Sequence, residues 1–252
     1  MTALPVNKFD VLFSSGSANV PDDAIAVAIS LFNYETFIVE CLDSVAAQIY
    51  KNVELIVVDD CSTDDGAMVV ATWMEANAGR FVSISLIRHS RNRGLASTRN
   101  TACNYAKAPY VFILDADNEI YPRALARLKE ALDDTGGGAA YSQLEFFGDL
   151  KRIGDGDIWR KETFINGNYV DAMALVRKDV IQQVGGYTHI EGGWEDYDFW
   201  CKLIERGIDA VFVPELLCRY RVHGNSMLRT DTNRNAADVL LQVQMRHPWL
   251  NF

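Results

Sequence analysis

"YVFILDADN", residues 110–118, decides how the rest of the chain is read. Val111 to Leu114 is an apolar run suited to a buried strand, and it ends abruptly in Asp115, Ala116 and Asp117. In extended backbone, residues i and i+2 face the same side, so the two carboxylates can address one target. Held that close they repel, and one is pushed toward protonation unless a cation sits between them. Mg²⁺ or Mn²⁺ suits the position, because hard cations take a few oxygen ligands from protein and the rest from water and phosphate. Acids also end strands simply because loops are solvated, and a lone DxD leaves both readings open.

Upstream, the same pattern repeats. "AIAVAISLF", Ala24 to Phe32, and "VELIVV", Val53 to Val58, are short β-branched runs consistent with buried strands, and "VSISLI", Val82 to Ile87, is a third. Between them Phe37, Ile38, Cys41, Leu42, Val45 and Ile49 recur at helical spacing, and helices are expected through Met68–Trp73 and after Gly94. Downstream, Pro122 suits the first turn of a helix whose stripe is Leu125, Leu128 and Leu132. Strands alternating with helices predict an α/β fold, an αβα sandwich around a mostly parallel sheet whose ligand edge is the carboxyl end of the strands. After "DDTGGG" the pattern loosens. "AAYSQLEFF", "YVDAMALV", "AVFVPE" and "LLCRYRV" read as strands, and "DVIQQVGG" and "YDFWCKLIERG" as helices.

Acids cluster at three such edges: Asp59 and Asp60 after the second strand, Asp115 and Asp117 after the fourth, and Glu195 and Asp196 after "IEGG" at the start of a helix. By itself the last cluster is an acidic first helical turn favoured by the helix dipole. A net charge of -10 on 252 residues argues against a nucleic-acid partner, since backbone phosphates need a basic face. Five cysteines, an odd number with none at CxxC spacing, argue against a zinc ribbon or disulfide framework and fit reduced thiols in a cytoplasmic protein. No apolar run reaches the roughly 18 residues of a membrane span. Peripheral contact with the cytoplasmic face of a membrane stays open.

The order "AIAVAISLFNYETFIVECLDSVAAQIYKNVELIVVDDCSTDDG", "NRGLASTRNTACNYAKAPYVFILDADN", "VGGYTHIEGGWEDYDFWCKLIERG" and "YRVHGNS" resembles the family-2 glycosyltransferases with the GT-A fold, over about residues 24–228. The resemblance implies a Rossmann-like sheet, a nucleotide-sugar donor, a divalent metal (Mn²⁺ or Mg²⁺) and inversion at the anomeric carbon. It also implies an extension at residues 1–22, a catalytic domain at 23–228 and a helical tail at 229–252, standing alone or as one module of a larger enzyme.

Site roles follow from matching positions. Asp60 looks like the residue that bonds the donor's base, with Phe32 and Asn33 lining the base pocket. Ser30 and Leu31 stand where the family more often has proline or threonine, so the base contacts are expected to differ in detail. Asn92 and Gly94 match the "N.G" loop and Arg99 the arginine of the following helix, either in donor binding or in an ion pair with a nearby acid. Asp115 and Asp117 match the DxD, with Asp117 as metal ligand and Asp115 nearer the ribose. His223 matches a late histidine that completes the metal site. Asp196 matches the general base, which such chemistry needs because a sugar hydroxyl is a weak nucleophile. Its place at a helix N-terminus lowers its pKa, while burial and Glu195 act the other way. Trp194 and Glu195 fall on the acceptor side. Trp159 offers an aromatic face or core packing, and Asn166 and Asn168 either touch a sugar hydroxyl or turn the chain.

The implied reaction moves a sugar, from a UDP-sugar by preference, to a hydroxyl of a saccharide or lipid-linked glycan in polysaccharide or glycoconjugate synthesis. A nucleotide-binding module without catalysis is a second reading, and a DxD phosphohydrolase or nucleotidyltransferase a third. The phosphatase pattern wants threonine or valine where Glu119 stands. No QxxRW-like motif is present, which favours addition of single sugars over processive synthesis.

Overall fold

Alternation along three adjacent strands sets the centre of the molecule. In the computed structural model, which describes residues 7–224 and 236–251, β2 (Ile25–Leu31) lies between β3 (Val53–Asp59) and β5 (Tyr110–Asp115), parallel to both. Ile25, Val27, Ile29 and Leu31 of β2 pack into one core, and Ala26 and Ala28 into the other. β3 divides in the same way, Leu55 and Val57 against Ile56 and Val58, and β5 sets Phe112 and Leu114 against Val111 and Ile113. Both faces are buried, which is why these segments read as unbroken apolar runs. Each buried branched side chain contributes about 1.5–3 kcal/mol.

Helices cover both faces. α1 (Ile38–Ala46), α2 (Gly66–Asn77) and α4 (Ala124–Thr135) cover the first. α3 (Leu95–Tyr105), α6 (Lys178–Val184), α7 (Glu195–Glu205) and α8 (Ala236–Arg246) cover the second, where the β2 alanines let α3 approach closely. A one-turn helix, α5 (Lys161–Phe164), sits in the long connection before the last third of the chain. α4 begins at Ala124, so Pro122 stands just ahead of the helix instead of in its first turn.

The remaining strands are β1 (Phe9–Gly16), β4 (Ser83–His89), β6 (Glu119–Ile120), β7 (Ala139–Gly148), β8 (Arg152–Ile153), β9 (Ala174–Arg177) and β10 (Ala210–Val222). Their order in one sheet is β1-β4-β3-β2-β5-β9-β7-β10-β6, with β8 on β7. β4-β3-β2-β5 and β7-β10 are parallel; β1, β6, β8 and β9 all pair antiparallel. The expected sandwich is present, but its sheet is mixed. β9 runs against both neighbours and joins two parallel blocks.

Three segments differ from the sequence reading. Residues 9–16, expected in an extension, form β1 and close the free edge of β4. A register slip between Val11 and Phe13 bends this edge strand. Gly16 ends it at φ +95, where a Cβ would lie 2.6 Å from the Val82 carbonyl oxygen. "AVFVPE" and "LLCRYRV" are one strand, β10, whose register shifts between Val213 and Leu216 around Pro214. Proline lacks the N–H that the ladder needs there. Of "YVDAMALV" only the last part is strand. In the tail, Val239 and Val243 of α8 are buried as expected; the expected "GNS" continuation beyond Gly224 and the start of the tail lie outside the described residues.

Register then places the site. Leu31 pairs with Asp59 and Ser30 with Asp115, so the loops after β2, β3 and β5 leave the sheet from one line. α7 is anchored from behind. Its fully buried Asp198 is bonded by Lys202, Arg246 and His247, whose other ring nitrogen meets Glu205 at 2.7 Å. Burial works against the Asp198 charge, but the His247 and Lys202 contacts outweigh it and hold the carboxyl well below its usual range.

Candidate active site

A cavity of about 930 Å³ opens at that edge. It is lined by Phe32, Asn33, Asp60, Asn92, Gly94, Arg99, Asp115, Asp117, Trp194, Glu195, Asp196 and His223, all picked out in the sequence.

On one wall the loops interlock. Asn33, in the left-handed region at φ 58, receives the Thr63 backbone N–H on Oδ1 at 2.8 Å, and its own N–H donates to Ser62. Glu35 and residues 64–65 exchange backbone-to-carboxylate bonds in both directions. Phe32 is left 42% exposed. Asp60 is buried and heavily bonded, accepting the backbone N–H groups of Arg93 and Gly94 and meeting His89 Nδ1 at 2.7 Å. It therefore holds the 92–94 turn in place, and Asn92 tightens that turn by accepting from the Gly94 N–H. Gly94, at φ 82, starts α3. Asp59 lies behind, paired with Arg88 at 3.0 Å.

The DxD acids have different partners. Arg99, buried on α3, donates to Asp115 Oδ1 at 2.9 Å and lies over the Tyr187 ring. Burial opposes its charge, but Asp115 prevails and its pKa is raised. Its Nε has no hydrogen-bond partner among the described residues. The ion-pair role is thus the one observed for Arg99. Asp117 faces the imidazole of His223, Nε2 to Oδ2 at 3.0 Å. β10 delivers that histidine: Arg221 donates its backbone N–H to Asn118 and its Nε to the Asp117 carbonyl, and His223 follows two residues on, packed against Phe37. Burial and the neighbouring Asp115 push the Asp117 carboxyl up to about 6 against the His223 contact.

A carboxylate and an imidazole on one cavity wall, beside a second acid already neutralised by arginine, fit a divalent cation held jointly with phosphate oxygens. Among the described residues no group of three or more His, Cys, Asp or Glu forms a complete cage.

The opposite wall carries Asp196 in the first turn of α7. Its Oδ1 accepts the Tyr197 N–H and its Oδ2 the Asn168 side-chain N–H, each at 2.9 Å. Burial raises its pKa despite Arg99 and these bonds, which resolves the competition between helix terminus and desolvation in favour of desolvation. Glu195 is buried and raised for the same first reason. Trp194, at φ 68, turns the chain into α7 and edges onto Tyr197. Trp159 lies off the cavity, packed with Phe164 and Trp200 in the core. Asn166 is also off the cavity, while Asn168 turns the chain through the Val170 N–H as well as touching Asp196.

Asp171 is the residue that sequence reading misses. It lines the cavity, accepts the Met173 N–H at 2.8 Å, and is pushed up to about 7 by burial and by Asp115 and Asp196. It precedes β9, which runs antiparallel to β5. An acid ahead of an antiparallel strand reaches the same edge as acids following parallel ones; the strand's direction is the missing signal. Tyr169, Arg152 and Asp155 extend this wall.

Among known proteins, a model of "Glycosyl transferase family 2" matches residues 26–185, more than half of the chain. The UDP-Glc:alpha-D-GlcNAc-diphosphoundecaprenol beta-1,3-glucosyltransferase WfaP of Escherichia coli is 26% identical over 81% of this chain and 80% of its own length. The putative glycosyltransferase EpsE of Bacillus subtilis is 25% identical over 87% and 81%. Other curated relatives are much longer: the match spans 20% of a Sinorhizobium fredii protein and 14% of the glycosyltransferase GlyA of Streptococcus pneumoniae. Of solved structures, S. aureus TarS, in complex with UDP-GlcNAc, superposes with a TM-score of 0.73 at 18% identity, over 88% of this chain and 66% of that one. The mannosyltransferase PcManGT of Pyrobaculum calidifontis, in complex with GDP-Man and Mn2+, superposes at 0.65 with 20% identity, over 92% and 72%. These share the GT-A fold, and with the family match the chain belongs to glycosyl transferase family 2.

Proposed function

We propose that this chain is an inverting, metal-dependent glycosyltransferase that moves a sugar from a nucleotide-sugar donor to a hydroxyl of a saccharide or lipid-linked glycan. The observation that carries the reading is the convergence of Asp60, Asp117 and Asp196, from three separate loops, on one cavity. The WfaP name makes a UDP-sugar and a diphospholipid-linked sugar the first substrates to try.

In this reading the exposed face of Phe32 stacks on the donor's base, and the Asp60-bonded turn at 92–94 shapes the pocket around it. Asp117 and His223 hold a divalent cation, which when bound neutralises charge on the departing diphosphate. Arg99 holds Asp115 in place. Asp196 accepts the proton of the acceptor hydroxyl as that oxygen attacks the anomeric carbon from the face opposite the leaving group. Positioned proton removal of this kind contributes typically about 10²–10⁴-fold. A carboxylate with its pKa raised by burial is a stronger base than a solvated one. That feature favours an enzyme over a binding module that has lost catalysis.

The catalytic unit comprises residues 23–228 with the edge strand at 9–16, and α8 of the tail packs on it. In the longer relatives the matching stretch spans only 14–20% of the length. No described helix is long and apolar enough to cross a membrane.

Thermal-shift titration against nucleotide sugars, with and without Mn²⁺, tests the reading. A donor at 100 times its Kd adds about 2.7 kcal/mol of stability. The expected result is a melting shift with a UDP-sugar that needs the metal, followed by release of UDP when an acceptor is added. No shift with any nucleotide sugar in excess Mn²⁺ rejects the proposal.

A further inference from the structure

Asn168 sits on the turn before β9, far in sequence from α7, yet its side chain reaches the one carboxylate assigned to proton removal. Its amide orientation is fixed by chemistry. Oδ1 accepts the Val170 backbone N–H at 3.2 Å, so Nδ2 is the atom that faces Asp196 Oδ2 at 2.9 Å. A carboxylate cannot donate, so a reversed amide would lose both contacts. Asp196 Oδ1 is already held by the Tyr197 N–H of its own helix. The Asn168 bond therefore removes the remaining freedom of the carboxylate about its Cβ–Cγ axis.

We propose that Asn168 is a positioning residue for Asp196, locking the carboxylate against the acceptor side of the cavity and favouring its charged form. The inference rests on Asp196 being the general base. It also gives the segment 166–172 a part in the mechanism. The same turn that lines the acceptor wall orients the base, so acceptor seating and base geometry are linked through one side chain.

The groups facing Asp196 set what the bond must do. Arg99 on α3 is the nearby cation that favours its charge. Asp115 on β5 acts on it as a like charge, and Asp171 before β9 interacts with it while its own carboxyl is pushed up to about 7. On its own helix stand Glu195 and, a turn later, Cys201; Tyr187 and Tyr220 face it from other elements. Among hydrogen-bonding side chains, only Asn168 donates to it within the described residues.

The test pairs a variant expected to shift the pH profile with one expected to leave it in place. Asn168→Ala should lower kcat by up to about 100-fold with donor KM unchanged, and move the acidic limb of the kcat profile to higher pH. Asn168→Ser, which keeps a donor, should recover part of the rate. Asp171→Asn keeps the acceptor for Met173 N–H and, because Asp171 is pushed up to about 7 and already holds its proton below that pH, should leave the acidic limb in place. A general defect of this cavity segment would not shift the limb in Asn168→Ala alone. An unshifted limb in Asn168→Ala, whether kcat falls or not, overturns the proposal. Asp196→Asn separates the two levels: if that variant still turns over, the base assignment has failed; if it is dead and Asn168→Ala is unshifted, only the positioning role has failed.

Discussion

In the proposed reading, the donor wall of the cavity is made of loops bonded to one another, and the acceptor wall includes a stretch, residues 149–165, bonded mostly within itself and to β7. Asn33 to Thr63, Glu35 to Asp65 and Asp60 to Gly94 each cross about thirty residues of sequence or more and tie three loops into one unit. Across the cavity, Gln143 meets Gly156, Tyr141 meets Asp157 and Arg152 meets Asp155, all within 141–171, and Ile153 and Ile158 remain more than half exposed. A wall fixed by long-range bonds is pre-organised, so its ligand does not have to order it. A self-bonded wall can change its side chains without disturbing the sheet. In that reading donor recognition is coupled to stability, and acceptor recognition is largely separate from it.

The largest expected effect lies where the walls meet. Asp196→Asn should reduce kcat by about 10²–10⁴-fold while the donor still raises the melting temperature; full turnover in a sugar-transfer assay would dissolve the distinction between the walls at its chemical centre. Next, Asp60→Ala strips a buried acceptor from two backbone N–H groups and His89. It should cost about 2–5 kcal/mol of stability by chemical denaturation and weaken donor binding together. Loss of donor affinity without loss of stability would mean that the donor wall is not the unit described. Phe32→Ala removes only the exposed ring, and should raise donor KM by the equivalent of about 1–3 kcal/mol with stability and kcat little changed. The smallest effect belongs to the other wall: Arg152→Ala should leave melting and donor affinity unmoved and change acceptor KM by no more than about 1 kcal/mol. A large fall in stability there would erase the contrast.

Legibility in the sequence follows the same division. β2, β3 and β5 are buried on both faces, so their apolar runs and the acids that end them stand out locally. The donor loops and the DxD follow directly, because parallel strands all finish at one edge. The second half depends on strand direction and order, which no local pattern carries. Inserting β9 backwards between β5 and β7 brings Asn168 and Asp171 to the site from its N-terminal side. β1 escapes a local reading because only Phe9 and Phe13 are partly buried; its pairing depends on the free edge of β4. The place of Arg99 is legible from its motif, but the choice between donor contact and ion pair needs the 2.9 Å bond to Asp115.

The shared register line of β2, β3 and β5 makes the site intolerant of length changes in its supports. Deleting one residue inside β3 or β5 would turn every later side chain to the opposite face. In β5, Asp115 would then turn away from Arg99 and toward the core that holds Phe112 and Leu114. The strands beneath this edge count residues, and catalysis depends on that count.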